Sequence, residues 1–170
     1  ILKVKLMDKL IDIEGWAGAY KGRSYIYKPR NEKECRQILK KAKQSNLTVN
    51  PVGSKVSFGD MVVNQDMIVV DNTQMNKILS WDETTATLTV ESGVSIYAIL
   101  VKLLPLGWLI ASIPGSLKAT IGGCVANNVH GKDSLKSGNF GRHVEWIDLM
   151  LHDGSIIKIS KKEKVELFNA

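Results

Sequence analysis

The sequence predicts an α+β fold in which a small parallel βαβ lobe precedes a larger, mainly antiparallel sheet with flanking helices. The chain opens with a strand–helix–strand pattern, and its middle alternates apolar and polar residues. Near its end, two apolar runs flank a turn. No predicted strand is followed by G-x-G-x-x-G, so the sequence does not support a Rossmann fold.

The parallel lobe begins with a strand at residues 24–28 that Pro29 ends. Asn31 is placed to cap the following helix, with Glu34 positioned to reach back. A second strand at 48–52 then favours a parallel pair joined by a crossover, and a third short strand follows at 67–70. One apolar helix face is formed by Cys35, Ile38, Leu39 and Ala42.

The second half of the chain has the alternation and turns of antiparallel strands. In residues 85–91, Ala86, Leu88 and Val90 point to one face. The runs 144–151 and 155–160 flank a turn of His152, Asp153 and Gly154, which predicts a hairpin. The last residues, 165–170, have the pattern of a starting helix.

The apolar stretch at 94–113 is about as long as a membrane span. Lys102 interrupts it, and Pro105-Leu106-Gly107 has the composition of a turn. A short amphipathic helix capped by Ser95 and followed by a buried strand fits better. We therefore predict no transmembrane segment.

Composition limits the class of protein and of partner. The chain has 170 residues, 44% hydrophobic and 24% charged, which suits one globular domain or two small packed lobes. A net charge of +6 favours an anionic partner, leaving a phosphate-bearing cofactor, an acidic lipid surface and a nucleic acid open. The basic residues are scattered, which argues against a nucleic-acid binder.

The two cysteines and three histidines lack the spacing of a metal site. No secretory signal opens the chain, so we expect a cytoplasmic protein.

The first of two glycine-rich loops, residues 51–61, directly follows a predicted strand. Successive backbone N–H groups in such a loop can turn toward one anion and form a concave nest. Ser54 and Ser57 add hydroxyl donors, while Gly53 and Gly59 let a ligand approach the backbone. A plain surface turn explains the same composition, so both interpretations stay open.

The second loop spans residues 113–132. Thr120 is a candidate cap for a short helix through Ala126, whose first N–H groups would face a phosphate. The P-loop motif fails here, since Ala126 stands where it requires glycine and Asp133 where it requires Ser or Thr. A structural loop of small residues is the alternative. From the residues alone, we predict an anionic, aromatic ligand between the two loops.

Several segments in one order resemble a known family. They include the first loop, Asp71-Asn72-Thr73-Gln74-Met75-Asn76, Val90-Glu91-Ser92-Gly93-Val94, Ala119-Thr120-Ile121-Gly122-Gly123 and His130-Gly131-Lys132. Together they resemble the FAD-binding domain of the vanillyl-alcohol oxidase/p-cresol methylhydroxylase (PCMH-type) superfamily. The closest resemblance is to its decaprenylphosphoryl-ribose oxidase, sugar-lactone oxidase and alditol oxidase members. The resemblance implies a lead-in at 1–20, an incomplete FAD-binding domain at 21–170, and a substrate domain outside this chain.

The resemblance also implies roles for the loop residues. His130 and Lys132 would lie on the substrate side, and no catalytic residue is assigned. Val56 occupies the place of a histidine that carries flavin covalently in many relatives, and Lys118 or Leu117 that of an attaching cysteine, so non-covalent FAD is expected. Lys55 replaces a glycine common in the family, so the loop is expected to bend differently. The implied FAD-binding residues are Pro51, Val52, Gly53, Ser54, Lys55, Val56, Ser57, Phe58, Gly59, Asp60, Met61, Gly115, Thr120, Ile121, Gly122, Gly123, Asn127, Asn128, Val129 and His130.

The implied reaction is oxidation of an alcohol carbon on a sugar or polyol substrate, free or lipid-linked, with hydride passing to the flavin and then to oxygen or another acceptor. This chain alone is expected to bind the ADP half of FAD without turning over substrate. One alternative is an NADPH-dependent reductase of the enolpyruvyl-sugar type on the same fold. A basic, non-enzymatic binding module is another. The substrate, electron acceptor and oligomeric state are not predicted.

Overall fold

A four-stranded sheet forms the first half of the computed structural model, which describes residues 9–169. Its strands are β1 (Ile11–Glu14), β2 (Lys21–Tyr27), β3 (Val49–Val52) and β4 (Ile68–Asp71), in the order β1-β2-β4-β3. β4 runs parallel to both β2 and β3, whereas β1 is antiparallel to β2. The predicted parallel direction is confirmed. The direct pairing of the first two predicted strands is wrong, because β4 lies between them.

The burial of β4 explains its central place. Ile68 and Val69 are 0% exposed and the whole strand is buried. A strand apolar on both faces is stable only between two others. At the sheet edge, β1 falls within the predicted lead-in of residues 1–20 and extends the sheet by pairing with β2.

Helix α1 (Glu32–Ser45) crosses from β2 to β3 and covers one face of the sheet. Asn31 caps it as predicted, its side chain accepting the Glu34 N–H at 3.0 Å. The Glu34 carboxylate accepts from the Arg30 N–H, one residue earlier than a capping box requires. Ile38 and Ala42 bury their side chains in a core with Tyr27, Ile68 and Val70.

The antiparallel strands of the second half form two separate ribbons. These are β5 (Ile78–Asp82) with β6 (Thr87–Val90), and β7 (Trp146–Met150) with β8 (Ile156–Ser160). The second is the predicted hairpin. β5 was not predicted, and Ala86 belongs to the turn before β6, with a φ of 52°, instead of to the strand.

Four short helices complete the second half: α2 (Ile96–Leu103), α3 (Ile121–Ala126), α4 (Ser134–Ser137) and α5 (Val165–Asn169). Ser95 and Thr120 cap α2 and α3 as predicted. The buried strand expected after Gly107 does not form. Residues 108–113 are irregular because Trp108 and Ile110 pack into the core beneath α2 without a partner strand. Within residues 9–169, no helix has the length and apolarity needed to span a bilayer.

Candidate functional site

A cleft of about 350 Å³ lies where four segments of the chain meet. The segments are the first loop, the turn after β4, the residues leading into α2, and the start of α3. The carboxyl ends of parallel strands are a common place for ligands, and both β3 and β4 end here. The lining residues are Ser54, Thr73, Asn76, Gly93, Val94, Ser95, Ala98 and Thr120.

The two glycine-rich loops touch at this cleft. A Cβ built on Gly53 would lie 2.1 Å from Thr120 Oγ1, so only glycine permits this approach. The Ser54 hydroxyl donates to the Lys118 carbonyl oxygen. The sequence prediction that these loops form one site is therefore consistent with their contact.

Backbone donors of the first loop remain available. The N–H groups of residues 54–59 donate to no acceptor within the described part of the chain. Lys55 has a φ of 59°, in the left-handed region that favours glycine. The backbone therefore adopts at Lys55 a conformation typical of glycine although the residue is lysine. An anion nest requires successive N–H groups of this kind.

The start of α3 has no such donors, although the sequence predicted them. The Ile121 N–H donates to Val94 O at 2.8 Å and the Gly122 N–H to Ser92 O at 2.8 Å. The Gly123 N–H faces Thr120 Oγ1 at 3.4 Å. These N–H groups are therefore engaged within the chain, where they attach α3 to the segment before α2, and their role at a phosphate stays a prediction.

Asp71, at the end of β4, is the most connected polar residue near the cleft. One carboxylate oxygen, Oδ1, accepts from the N–H of Thr73 at 3.1 Å and from its hydroxyl at 2.5 Å. The other, Oδ2, lies 3.3 Å from Lys55 Nζ and 3.4 Å from Lys28 Nζ. The side chain is only 2% exposed. Burial alone would raise the pKa of Asp71, but the Thr73 hydrogen bonds and the two lysines outweigh it and hold the pKa below its usual value.

This lowered pKa gives a prediction for acid stability. A carboxyl whose folded-state pKa is depressed contributes stability above its unfolded pKa of about 3.9 and loses it as the pH falls through the folded value. The difference in unfolding free energy between wild type and Asp71→Asn should be constant at neutral pH and shrink below about pH 4. Urea unfolding of both proteins at several pH values tests this. A difference that stays constant to low pH would contradict it.

The residues expected along the flavin lie at the other end of α3, about 9 Å from Thr120 along a six-residue helix. The Asn127 side chain donates to Gly123 O, and Asn128 Oδ1 accepts the Gly141 N–H, each at 2.9 Å. His130 and Lys132, the expected substrate-side residues, are exposed. The structure does not bring this group into the cleft, so its role stays a prediction.

The other predicted site residues have different surroundings. Val56 packs against a core cluster of Ile96, Ala119 and Cys124. Phe58, Asp60, Met61 and Gly115 are exposed, as are Leu117 and Lys118. Cys124, in the same cluster, is not a candidate nucleophile. Burial raises the pKa of its thiol to about 11, so the thiol stays protonated at neutral pH.

Of the eight residues that line the cleft, sequence reasoning assigned only Ser54 and Thr120 to the site. Thr73, Asn76, Gly93 and Ser95 were noted only within recognisable segments or as a helix cap. The signal that was available is an aspartate at the end of an apolar run, two residues before a threonine. This arrangement is typical of an Asx turn at a strand end.

Comparisons with known proteins agree with this architecture. Residues 24–160 match the family described as "FAD binding domain". Decaprenylphosphoryl-beta-D-ribose oxidase of Mycolicibacterium smegmatis is 31% identical over 71% of this chain and 26% of its own length. L-gulonolactone oxidase of Mus musculus is 26% identical over 95% of this chain and 37% of its own length.

A solved structure supports the fold independently. 6-Hydroxy-D-nicotine oxidase from Arthrobacter nicotinovorans superposes with a TM-score of 0.83 at 20% identity, covering 99% of this chain and 39% of that one. The chain thus spans between about a quarter and two fifths of the length of these relatives. The α+β fold class and the family expected from the sequence are confirmed. This chain belongs to the FAD binding domain family, and its cofactor is FAD.

Proposed function

We propose that this chain is the cofactor-binding part of a flavin-dependent oxidoreductase, and that it holds FAD non-covalently with the diphosphate at the cleft beside the first loop. The whole protein oxidises an alcohol carbon of a sugar-like substrate. Two relatives are named for such substrates, a lipid-linked ribose and a sugar lactone. Because this chain spans only 26% and 37% of these relatives, we place substrate binding in a further domain of the whole protein.

The unengaged N–H groups of residues 54–59 carry this proposal. Backbone donors next to a cleft, with glycines on both sides that leave room for a ligand, suit a diphosphate better than a neutral ligand. Lys28 and Lys55 add two ammonium groups against the single carboxylate of Asp71, leaving one positive charge in excess. The residues present therefore fit the anionic centre of FAD.

The distribution of the remaining predicted residues suits an elongated dinucleotide. The first loop and Thr120 are at one end of α3, and Asn127 through His130 are at the other. FAD supplies the hydride acceptor when bound. The residues of this chain bind it and orient it, and His130 and Lys132 are exposed where a substrate could approach.

Non-covalent attachment is supported by the chemistry of residue 56. Valine offers no nucleophilic atom for a bond to flavin, and its side chain packs into the core cluster near α3. Leu117 likewise has no reactive group, and the Lys118 amine is not the thiol that forms such a bond in relatives. Neither cysteine occupies these positions, since they are at 35 and 124.

An absorption spectrum after gel filtration of the chain mixed with FAD tests the proposal. We expect a flavin spectrum that co-elutes with the protein, and yellow colour that leaves with the supernatant after acid precipitation. Added sugar lactones or alcohols should not bleach it, since we assign only cofactor binding to these residues. Colour in the pellet would contradict non-covalent attachment. A colourless protein peak would contradict the cofactor site, and bleaching by substrate would contradict the division of roles.

A further inference from the structure

Asp71 joins the two walls of the cleft. Its Oδ1 binds Thr73, which lines one wall, while its Oδ2 binds Lys55, which follows the lining residue Ser54 in the other wall. No other described side chain bridges these two segments. Beyond the paired ends of β3 and β4, the two walls are therefore linked through one buried carboxylate.

We propose that Asp71 is a positioning residue of the cofactor site: by holding Thr73 and Lys55 at once, it fixes the first loop in the conformation that presents its N–H groups to the FAD diphosphate. This inference rests on the proposed function. Lys28 binds the same oxygen from the end of β2, so the ends of β2, β3 and β4 are all connected to this carboxylate.

The backbone of Lys55 explains why such a connection is needed. A lysine at a φ of 59° is less stable there than glycine, because its Cβ crowds the backbone. Such a conformation is strained for a residue with a Cβ, so it persists where surrounding contacts hold it. Among the described residues, the ionic partner of this side chain is Asp71, 3.3 Å away. Without it, we infer that the loop relaxes and its N–H groups diverge.

A double-mutant cycle on FAD binding tests the inference. Dissociation constants of FAD, from quenching of flavin fluorescence, are measured for wild type, Asp71→Asn, Lys55→Met and the double variant. We expect Asp71→Asn to weaken FAD binding roughly tenfold. Removing a hydrogen-bond partner that orients a metal-binding side chain has an effect of this size on metal affinity. The double variant should lose less affinity than the product of the two single losses, because both substitutions break the same Asp71–Lys55 pair.

Matched controls separate positioning from net charge. Asp66→Asn and Lys21→Met make the same charge changes in exposed ion pairs away from the cleft, Asp66 with Arg23 and Lys21 with Glu14. Both controls should bind FAD like wild type. If the losses of FAD affinity caused by Asp71→Asn and Lys55→Met multiply in the double variant, the inference is overturned. So would an affinity of Asp71→Asn equal to that of Asp66→Asn.

Backbone ¹⁵N NMR relaxation of the FAD-free chain distinguishes this inference from the proposed function. Asp71→Asn should raise the mobility of the N–H groups of residues 54–57 and of Thr73, and leave that of α1 unchanged. If wild type binds no FAD but both walls respond, the proposed function fails while the positioning role of Asp71 stands. If neither wall responds, the positioning role is wrong even where wild type binds FAD.

Discussion

Gly93→Ala should lower the free energy of unfolding by about 3 kcal/mol or more, near the upper end for overpacked sites. A Cβ at residue 93 would lie 2.0 Å from Asn72 O and 2.7 Å from Met75 O. Both atoms belong to the backbone, and the Gly93 N–H already donates to Met75 O at 2.8 Å. To relieve these two clashes, the turn after β4 would have to move away from the segment before α2. Urea unfolding followed by circular dichroism measures the change.

Gly115→Ala is the matched stability control for this substitution. A Cβ at residue 115 would meet no atom within 4 Å, and its φ lies outside the left-handed region. Alanine at such a site reduces the entropy of the unfolded chain, so the control should be neutral or more stable by up to about 1 kcal/mol. If Gly93→Ala unfolds at the same urea concentration as Gly115→Ala, the close backbone contact at residue 93 is not a feature of the folded protein.

Local elements of this fold could be predicted because their signals lie within a few residues. Asn31, Ser95 and Thr120 each cap the helix assigned to them, and the hairpin around Gly154 forms as its turn sequence indicates. A cap requires only a side-chain oxygen and an N–H two or three residues later. These interactions do not depend on what the rest of the chain does.

Non-local pairing could not be predicted in the same way. The strand–helix–strand pattern is compatible with adjacent strands or with one strand between them, and the distant β4 decides the outcome. The same limit explains the missing strand after Gly107. Its apolar residues match those of a buried strand, but strand assignment needs a partner, and Trp108 and Ile110 instead pack beneath α2.

The candidate site shows a similar division. Loop composition located the first loop and Thr120, because glycines and small polar residues mark places where a backbone can approach a ligand. It could not reveal that the N–H groups of Ile121 and Gly122 are used by Val94 and Ser92, since that depends on packing between distant segments. Asp71 was missed for the same reason, as its partners Lys28 and Lys55 are brought to it by the sheet.

Gly53→Ala should weaken FAD binding by at least about tenfold, because displacement of positioning groups by about 1 Å already has large effects on ligand contacts. The new Cβ would lie 2.1 Å from Thr120 Oγ1 and 3.2 Å from Thr120 Cβ, so the two loops must separate. This moves the N–H groups of the first loop away from the start of α3. Flavin fluorescence quenching gives the affinity, and urea unfolding should show a loss of about 1–3 kcal/mol.

Thr120→Ala provides the test of cause for this prediction. Alone it removes the cap of α3 and should cost about 1 kcal/mol. Combined with Gly53→Ala, it removes the atom that the new Cβ would strike, leaving only the contact near 3.2 Å. The double variant should therefore be more stable than the sum of the two single losses predicts. Strictly additive losses would mean that the first and second loops do not meet through Gly53 and Thr120, and the cleft between them would have to be assigned to other contacts.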